Sequence, residues 1–345
     1  MSMVSGVIGG VDTHADVHVA AALDENGRWL GVESFRVNGA GYRRLVEWLT
    51  SFGPVIRVGV EGTGSYGVGL ARHLHDAGVE VVEVDRPNRQ KRRRLGKSDP
   101  IDAEAAARAA LSGEASVTPK WRDGAVEQIR VLMIARRSAR MQRNQALNQL
   151  RQIVFCGPDE VRARFKDRYK AGLVTEAAAM RPRKGSDPVT YTTYVVMRGL
   201  ARRIRDLDDE MRTIDDALTE LIAETAPSLL ACYGVGVVTA ATLLVTAGDN
   251  PDRLHTERSW AHLCGVAPVP AGSGKTSGRV RLSYGGNRHA NAALYQIVLT
   301  RMSSDPATRN YVRRRRAEGL STREIMRCLK RYVARQTFKH LPRAA

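Results

Sequence analysis

The chain has 345 residues, 43% of them hydrophobic, with 54 lysines and arginines against 36 acids and a formal net charge of +18. That length carries two or three domains with real cores, and the charge points away from a basic partner and toward a polyanion, most simply nucleic acid. No run of about 18 apolar residues is present to cross a membrane, and Cys156, Cys232, Cys264 and Cys328 form no C-x-x-C pair, so neither a zinc ribbon nor a disulfide framework is supported. Reduced thiols and the lack of a basic-then-apolar leader lead us to expect a soluble cytoplasmic protein.

Residues 4–12 form an apolar, glycine-rich run that ends in Asp12 and reads as a buried strand. Val17 to Leu23 is a second strand, Asp24-Glu25-Asn26-Gly27 a hairpin turn, and Trp29 to Val37 a third strand. A helix over Gly41–Ser51 and a strand over Val55–Val60, ending in Glu61, come next. A second helix spans about Tyr66 to Ala77 and is closed by Gly78; a fifth strand covers Val79–Val84. A basic loop follows, Arg86 to Lys97, in which Arg92, Arg93, Arg94 and Lys97 are candidates for contacts to phosphate.

Lys97-Ser98-Asp99-Pro100-Ile101-Asp102 leads into the alanine-rich segment Ala103–Ala110, which favours a helix. Asp99 and Asp102, three apart in its first turn, share one face. Two convergent carboxylates are half of a claw for a hard divalent cation. Three strands, then helix, strand, helix, strand and helix, give a mixed sheet with helices packed on it. This is the element order of the ribonuclease H-like nucleases. There the first and fourth strands are neighbours, so Asp12 and Glu61 face one another and the last helix brings Asp99 and Asp102 to the same point. Two magnesium ions about 4 Å apart would neutralise these acids and clamp a scissile phosphate.

Gly62-Thr63-Gly64-Ser65-Tyr66-Gly67 matches the dinucleotide fingerprint. It follows the fourth strand rather than the first, and Glu61 beside it would repel a pyrophosphate, so the match is discounted.

From about Pro119 the chain becomes helical and basic. Val126–Val154 is one long helix, and a looser stretch follows it. A second long helix carries the stripe Leu200, Ile204, Leu207, Met211, Ile214, Leu218, Leu221, spaced four and three as in a coiled coil. Three heptads suit either a helical hairpin within the chain or a dimer seam. After Pro227 a helix, a glycine turn at Gly234-Val235-Gly236 and another helix are expected. The loop Gly272-Ser273-Gly274-Lys275-Thr276-Ser277-Gly278-Arg279 is small and basic, and its glycines allow backbone to approach a phosphate. Ser273 there reads as a turn residue or a nucleophile. The string falls short of a Walker A loop because Val269 stands where that motif needs glycine. A helix from Ala290 to about Met302 and a cation-rich tail complete the chain.

Gly10-Val11-Asp12-Thr13-His14 with His18, Val60-Glu61-Gly62-Thr63-Gly64, Lys97-Ser98-Asp99-Pro100-Ile101-Asp102-Ala103, Gly265-Val266-Ala267-Pro268, Gly272-Ser273-Gly274-Lys275 and Gly285-Gly286-Asn287-Arg288 together resemble the transposases of insertion-sequence family 110. The resemblance covers nearly the whole chain. It implies an α/β fold: an RNase H-like (RuvC-like) mixed-sheet nuclease domain over 1–118, a helical coiled-coil region over 119–227 and a mostly helical C-terminal transposase domain over 228–345. It further implies that Asp12, Glu61, Asp99 and Asp102 bind Mg2+, with Mn2+ as a substitute. Ser273 would attack a DNA phosphodiester to form a 5′-phosphoserine, with Ser277 a nearby fallback. The acids and the serine would act in one subunit or across two. The implied partners are donor and target DNA, a structured bridge RNA, and further copies of the chain as a dimer assembling into a tetramer on DNA, so that the protein would lie with the nucleoid when bound. Lys275, Arg279, Arg281 and Arg288 are expected to contact nucleic acid. The alternatives are a metal-only junction endonuclease in which water attacks, and a nucleic-acid-binding protein without catalysis.

Overall fold

The computed structural model describes residues 5–84, 98–168, 170–183, 187–250, 253–272, 280–283 and 285–342. The chain divides into two compact units. In the described residues the first comprises Met1–Gly124 and Ala247–His255, and the second Ala125–Thr246 and Thr256–Pro342.

The first unit is built on five strands: β1 (Val7–Thr13), β2 (Val17–Asp24), β3 (Trp29–Arg36), β4 (Val55–Glu61) and β5 (Glu80–Val84). They stand in the order β3-β2-β1-β4-β5, with the β1–β2 and β2–β3 pairs antiparallel and the β1–β4 and β4–β5 pairs parallel. The expected neighbourhood of the first and fourth strands is therefore present. The Asp24–Gly27 turn joins β2 to β3: Asp24 Oδ1 accepts from the Asn26 and Arg28 amides, and Gly27 takes φ +81°.

Each face of the sheet is covered by different helices. Helix α1 (Gly39–Thr50) and helix α2 (Val68–Asp76) pack Leu45, Leu49, Leu70 and Leu74 against Val7, Val11, Ala20, Val58 and Val60. Helix α3 (Asp99–Leu111) covers the opposite face, where Ile8, Val82 and Val84 meet Ala106 and Ala110, and Val19 and Ala21 meet Ala103. Its buried positions Ala103, Ala106, Ala107 and Ala110 follow the three-and-four spacing of one helical stripe. Alanine alone would not bring helix and sheet this close. Gly10 and Gly59, paired across β1 and β4, lie beneath the helix. A Cβ on Gly10 would stand 2.0 Å from the Ala107 nitrogen, and one on Gly59 2.6 Å from the Ala106 oxygen.

His18 in β2 is fully buried, and its two ring nitrogens have no hydrogen-bond partner. The ring stacks on Tyr42 at 5.8 Å. Burial, with a smaller push from His14, lowers its pKa to about 4, so the imidazole is neutral at physiological pH. Because the unfolded chain binds a proton here near the ordinary value of 6.5, the native state should lose stability as pH falls from about 6.5 to about 4. The loss approaches 3 kcal/mol at about 1.4 kcal/mol per unit. Denaturant melts across this window should show that slope, and His18→Phe should flatten it.

The second unit is helical: α4 (Ala125–Cys156), α5 (Asp159–Phe165), α6 (Lys170–Ala179), α7 (Pro188–Thr225), α8 (Pro227–Leu230), α9 (Val237–Ala247), α10 (Glu257–Leu263), α11 (Arg288–Ser304), α12 (Pro306–Ala317) and α13 (Thr322–Lys339). A short antiparallel pair, β6 (Pro268–Pro270) and β7 (Val280–Leu282), lies among them. Helices α4 and α7 form an antiparallel hairpin within the chain, pinned by the ion pairs Arg136–Asp215 and Arg143–Asp208. The buried stripe of α7 runs through Met197, Ala201, Ile204, Leu207, Ile214, Leu218 and Ile222. Leu200, Met211 and Leu221 of the expected heptad are only partly buried. A straight helix drifts from a strict heptad, and α6 covers a second flank of α7, joining Leu173, Val174 and Ala177 to Tyr194, Met197 and Ala201. The stretch read as loose after Val154 thus contains two helices, α5 and α6. The four cysteines are free. Among the described residues no helix is long and apolar enough to cross a membrane.

Candidate functional site

Strand periodicity and register place the acids. Val11 of β1 pairs with Val60 of β4 on the α1/α2 face, so Asp12 and Glu61, one residue further, lie on the α3 face at the ends of two parallel strands. The Thr13 hydroxyl donates to the Glu61 carbonyl at 2.8 Å, tying the two strand ends together. The turn beyond β4, which resembled a dinucleotide loop, is held by a different bond: the Thr63 hydroxyl donates to Glu83 Oε1 at 2.7 Å.

Helix α3 begins over these strand ends. Ser98 is its extended N-cap residue, Pro100 sits in the first turn, and the Asp102 amide donates to the Ser98 carbonyl at 3.1 Å. Pro100 loses nothing there, because its missing N–H would have had no helical partner. Asp99 and Asp102 are the acids of this turn, and the positive end of the helix dipole favours both. Asp102 is buried at 3% exposure and Asp12 at 6%, while Asp99 is half-exposed.

Asp12, Asp99 and His14 converge, with one ligating atom from each lying within 4.8 Å of the others. His14 Nε2 is 3.2 Å from Asp12 Oδ2 and 3.4 Å from Asp99 Oδ1. Burial holds the Asp12 carboxyl above the usual carboxylate range; His14 draws it down, and the charges of Asp102 and Asp99 push it up again. Asp102 is therefore felt at Asp12, although neither it nor Glu61 belongs to the convergent trio. Two carboxylates and an imidazole suit a divalent cation. A cation would also relieve the charge crowding that raises Asp12.

His14 was not among the candidates drawn from the sequence. A signal for it existed. Two residues apart at a strand end, Asp12 and His14 can lie on one side of the sheet, and Asp-x-His is a spacing that can chelate. Of the other candidates, Arg281 and Arg288 line one cleft of the second unit. Arg92, Arg93, Arg94, Lys97, Ser273, Lys275 and Arg279 lie outside the described residues.

A mixed sheet of this order, with acids at the ends of two neighbouring parallel strands and at the head of the helix packed on them, defines an RNase H-like domain with a DEDD-type acidic cluster. Residues 9–155 match a family model for the DEDD transposases of IS110 elements, described as "Transposase". Residues 226–313 match a second, "Transposase IS116/IS110/IS902 family". The chain belongs to this family. It is 31% identical over 150 residues to the insertion element IS110 uncharacterized 43.6 kDa protein of Streptomyces coelicolor, covering 43% of this chain and 37% of the relative. It is 29% identical over 134 residues to the insertion element IS900 uncharacterized 42 kDa protein of Mycobacterium paratuberculosis, covering 38% and 34%. The matches thus span about a third of the length of each curated relative.

Proposed function

We propose that this protein is the transposase of an insertion element, cutting and rejoining DNA with the acids of its first unit and Ser273 of its second. The convergence of Asp12, Asp99 and His14, with the buried Asp102 charge close behind them, carries this reading. In it Asp12, Glu61, Asp99 and Asp102 hold Mg2+, or Mn2+ in its place. When bound, the cation would supply charge stabilisation at the phosphate under attack. The Ser273 oxygen attacks phosphorus, its proton leaves to a base or water, and the bond to the 3′ oxygen breaks. The products are a 5′-phosphoserine and a free 3′-hydroxyl. The same exchange in reverse, with a different 3′-hydroxyl, rejoins strands without ATP. The formal charge of +18 supports nucleic-acid partners: donor and target DNA, and a structured guide RNA whose presence would be read by sequencing RNA that co-purifies with the protein. A dimer assembling into a tetramer on DNA is part of the same proposal.

End-labelled DNA incubated with protein and Mg2+ or Mn2+ tests the reaction on a denaturing gel. Wild type should give a covalent protein–DNA band, and Ser273→Ala should give none while still binding DNA. Cleavage and rejoining by Ser273→Ala would overturn the serine step and leave a metal-only endonuclease.

A further inference from the structure

Two clefts of the second unit meet along helix α13. One, of about 480 Å3, is lined by Arg281, Arg288, Arg327 and Lys330, and among the described residues no carboxylate lines it. The other, of about 490 Å3, is lined by Val266, Val280, Cys328 and Tyr332. They share Arg281, Leu282 and Arg327, so they form one continuous groove between β7 and α13. Residues 327 and 330 of α13 serve the cationic half; residues 328 and 332, one turn apart, serve the apolar half.

The cationic half is organised around the half-buried Lys330, with Arg281, Arg288 and Arg327 exposed about it. Its floor is two abutting backbones. Gly265 takes φ +64°, and a Cβ on Gly286 would stand 2.1 Å from the Gly265 nitrogen. Asn291 fixes this floor by donating to the Cys264 and Gly265 carbonyls at 3.1 and 2.9 Å. Its remaining oxygen accepts from Lys330 Nζ at 2.9 Å, which aims that ammonium into the cleft. Burial, with Arg327 beside it, lowers the pKa of Lys330. An anion bound there would repay that cost. Two further cations of the apolar half, Arg331 and Arg335, are already paired with Glu257. The single carboxylate of that half, Glu324, is held by the Ser321 capping box. In the apolar half Tyr332, whose ring meets that of Tyr311 edge-on, is 53% exposed and Val280 60% exposed. An exposed aromatic beside a row of cations is the arrangement on which an unpaired base stacks while its phosphate is held. Val280 also follows Ser273 closely in the sequence.

We propose that this groove binds single-stranded DNA, with a phosphate on Arg281, Arg288, Arg327 and Lys330 and the adjacent base on Tyr332. Arg327, Lys330 and Tyr332 lie beyond residues 226–313, the span of the second family match. The proposal rests on the reading of the protein as a DNA-acting transposase and adds the place where a separated strand is gripped.

The test is binding of a short fluorescein-labelled oligothymidylate to the full chain at several salt concentrations, without divalent cation. Lys330→Gln and Arg327→Gln should each reduce the slope of log affinity against log salt by about 0.7. Tyr332→Ala should bind about tenfold more weakly with its slope unchanged, whereas Tyr332→Phe and Lys330→Arg should bind like wild type. An oligonucleotide abasic throughout should weaken wild type by the same factor and the Tyr332→Ala protein no further. Thermal melts confirm that each variant is folded. The assay contains no divalent cation and reads no cleavage, so failure of the serine step and failure of the groove are read separately. Unchanged affinity and slope in both cation variants would sink the phosphate site. Equal loss on the abasic strand in wild type and Tyr332→Ala would sink the stacking site, and tighter binding of oligouridylate would take the groove away from DNA.

Discussion

Asp12→Asn is expected to slow strand cleavage severely while making the metal-free protein more stable. The two effects share one cause. Asp12 is buried, and Asp99 and Asp102 add charge of the same sign. Its pKa is therefore raised on folding. A carboxyl raised in this way contributes stability below its unfolded pKa and loses that contribution as pH rises through the folded value. At neutral pH the metal-free Asp12 carboxyl is thus a cost, and asparagine removes it. For each kcal/mol relieved, Tm should rise by about 2–4 °C. Wild type should instead gain its stability from added Mg2+ or Mn2+, by mass action on the folded state, and Asp12→Asn should lose most of that gain. Cleavage should fall on the order of 10³-fold, the equivalent of several kcal/mol of charge stabilisation at the phosphate. Calorimetry with and without cation, beside a cleavage assay, reads both. Wild-type cleavage by Asp12→Asn would end the metal-centre reading. A lower metal-free Tm would show that Asp12 is held by something other than its crowded neighbours.

Gly10→Ala should have the second large effect, at a position that touches no substrate. A new Cβ would meet the Ala107 nitrogen at 2.0 Å and the Ala103 oxygen at 2.3 Å. Both are helix backbone, which cannot rotate aside as a side chain could, so α3 must lift from the sheet. Overpacking of this kind costs about 1–3 kcal/mol and sometimes more. The functional cost should be larger, because lifting α3 carries Asp99 and Asp102 away from Asp12. A misplacement of about 1 Å is enough to lose 10²-fold in rate. We expect a folded protein with a lower Tm, weakened stabilisation by divalent cation and cleavage reduced at least 10²-fold. Ala107→Gly in the same chain would not rescue it, since the clash is with backbone. Wild-type activity in Gly10→Ala would mean that the acids tolerate a shifted helix.

Much of the first unit was legible because its signals are local. The apolar run to Asp12, the Asp24–Gly27 turn and the alanine stripe of α3 each specify an element within a few residues. Strand order then followed from connection rules, and with it the neighbourhood of Asp12 and Glu61. The long helices α4 and α7 were readable from composition and period. The partner of α7 was not, because a short heptad stripe describes a sticky face without saying which surface covers it. Helix α6 covering α7 brought Met197 and Ala201 into the buried stripe.

The sequence by itself determined the acids, their strand ends and their helix turn, since alternation, the helical period and chain connectivity act between near neighbours. Only the tertiary structure decided that His14 joins Asp12 and Asp99 ahead of Glu61 and Asp102. It alone set Gly10 and Gly59 against the α3 backbone, and it alone aligned Lys330 and Tyr332 with Arg281 and Val280. Apart from the neighbours Asp12 and His14, these are meetings of atoms far apart along the chain. Their distances depend on how closely whole elements pack, a quantity that no local pattern encodes.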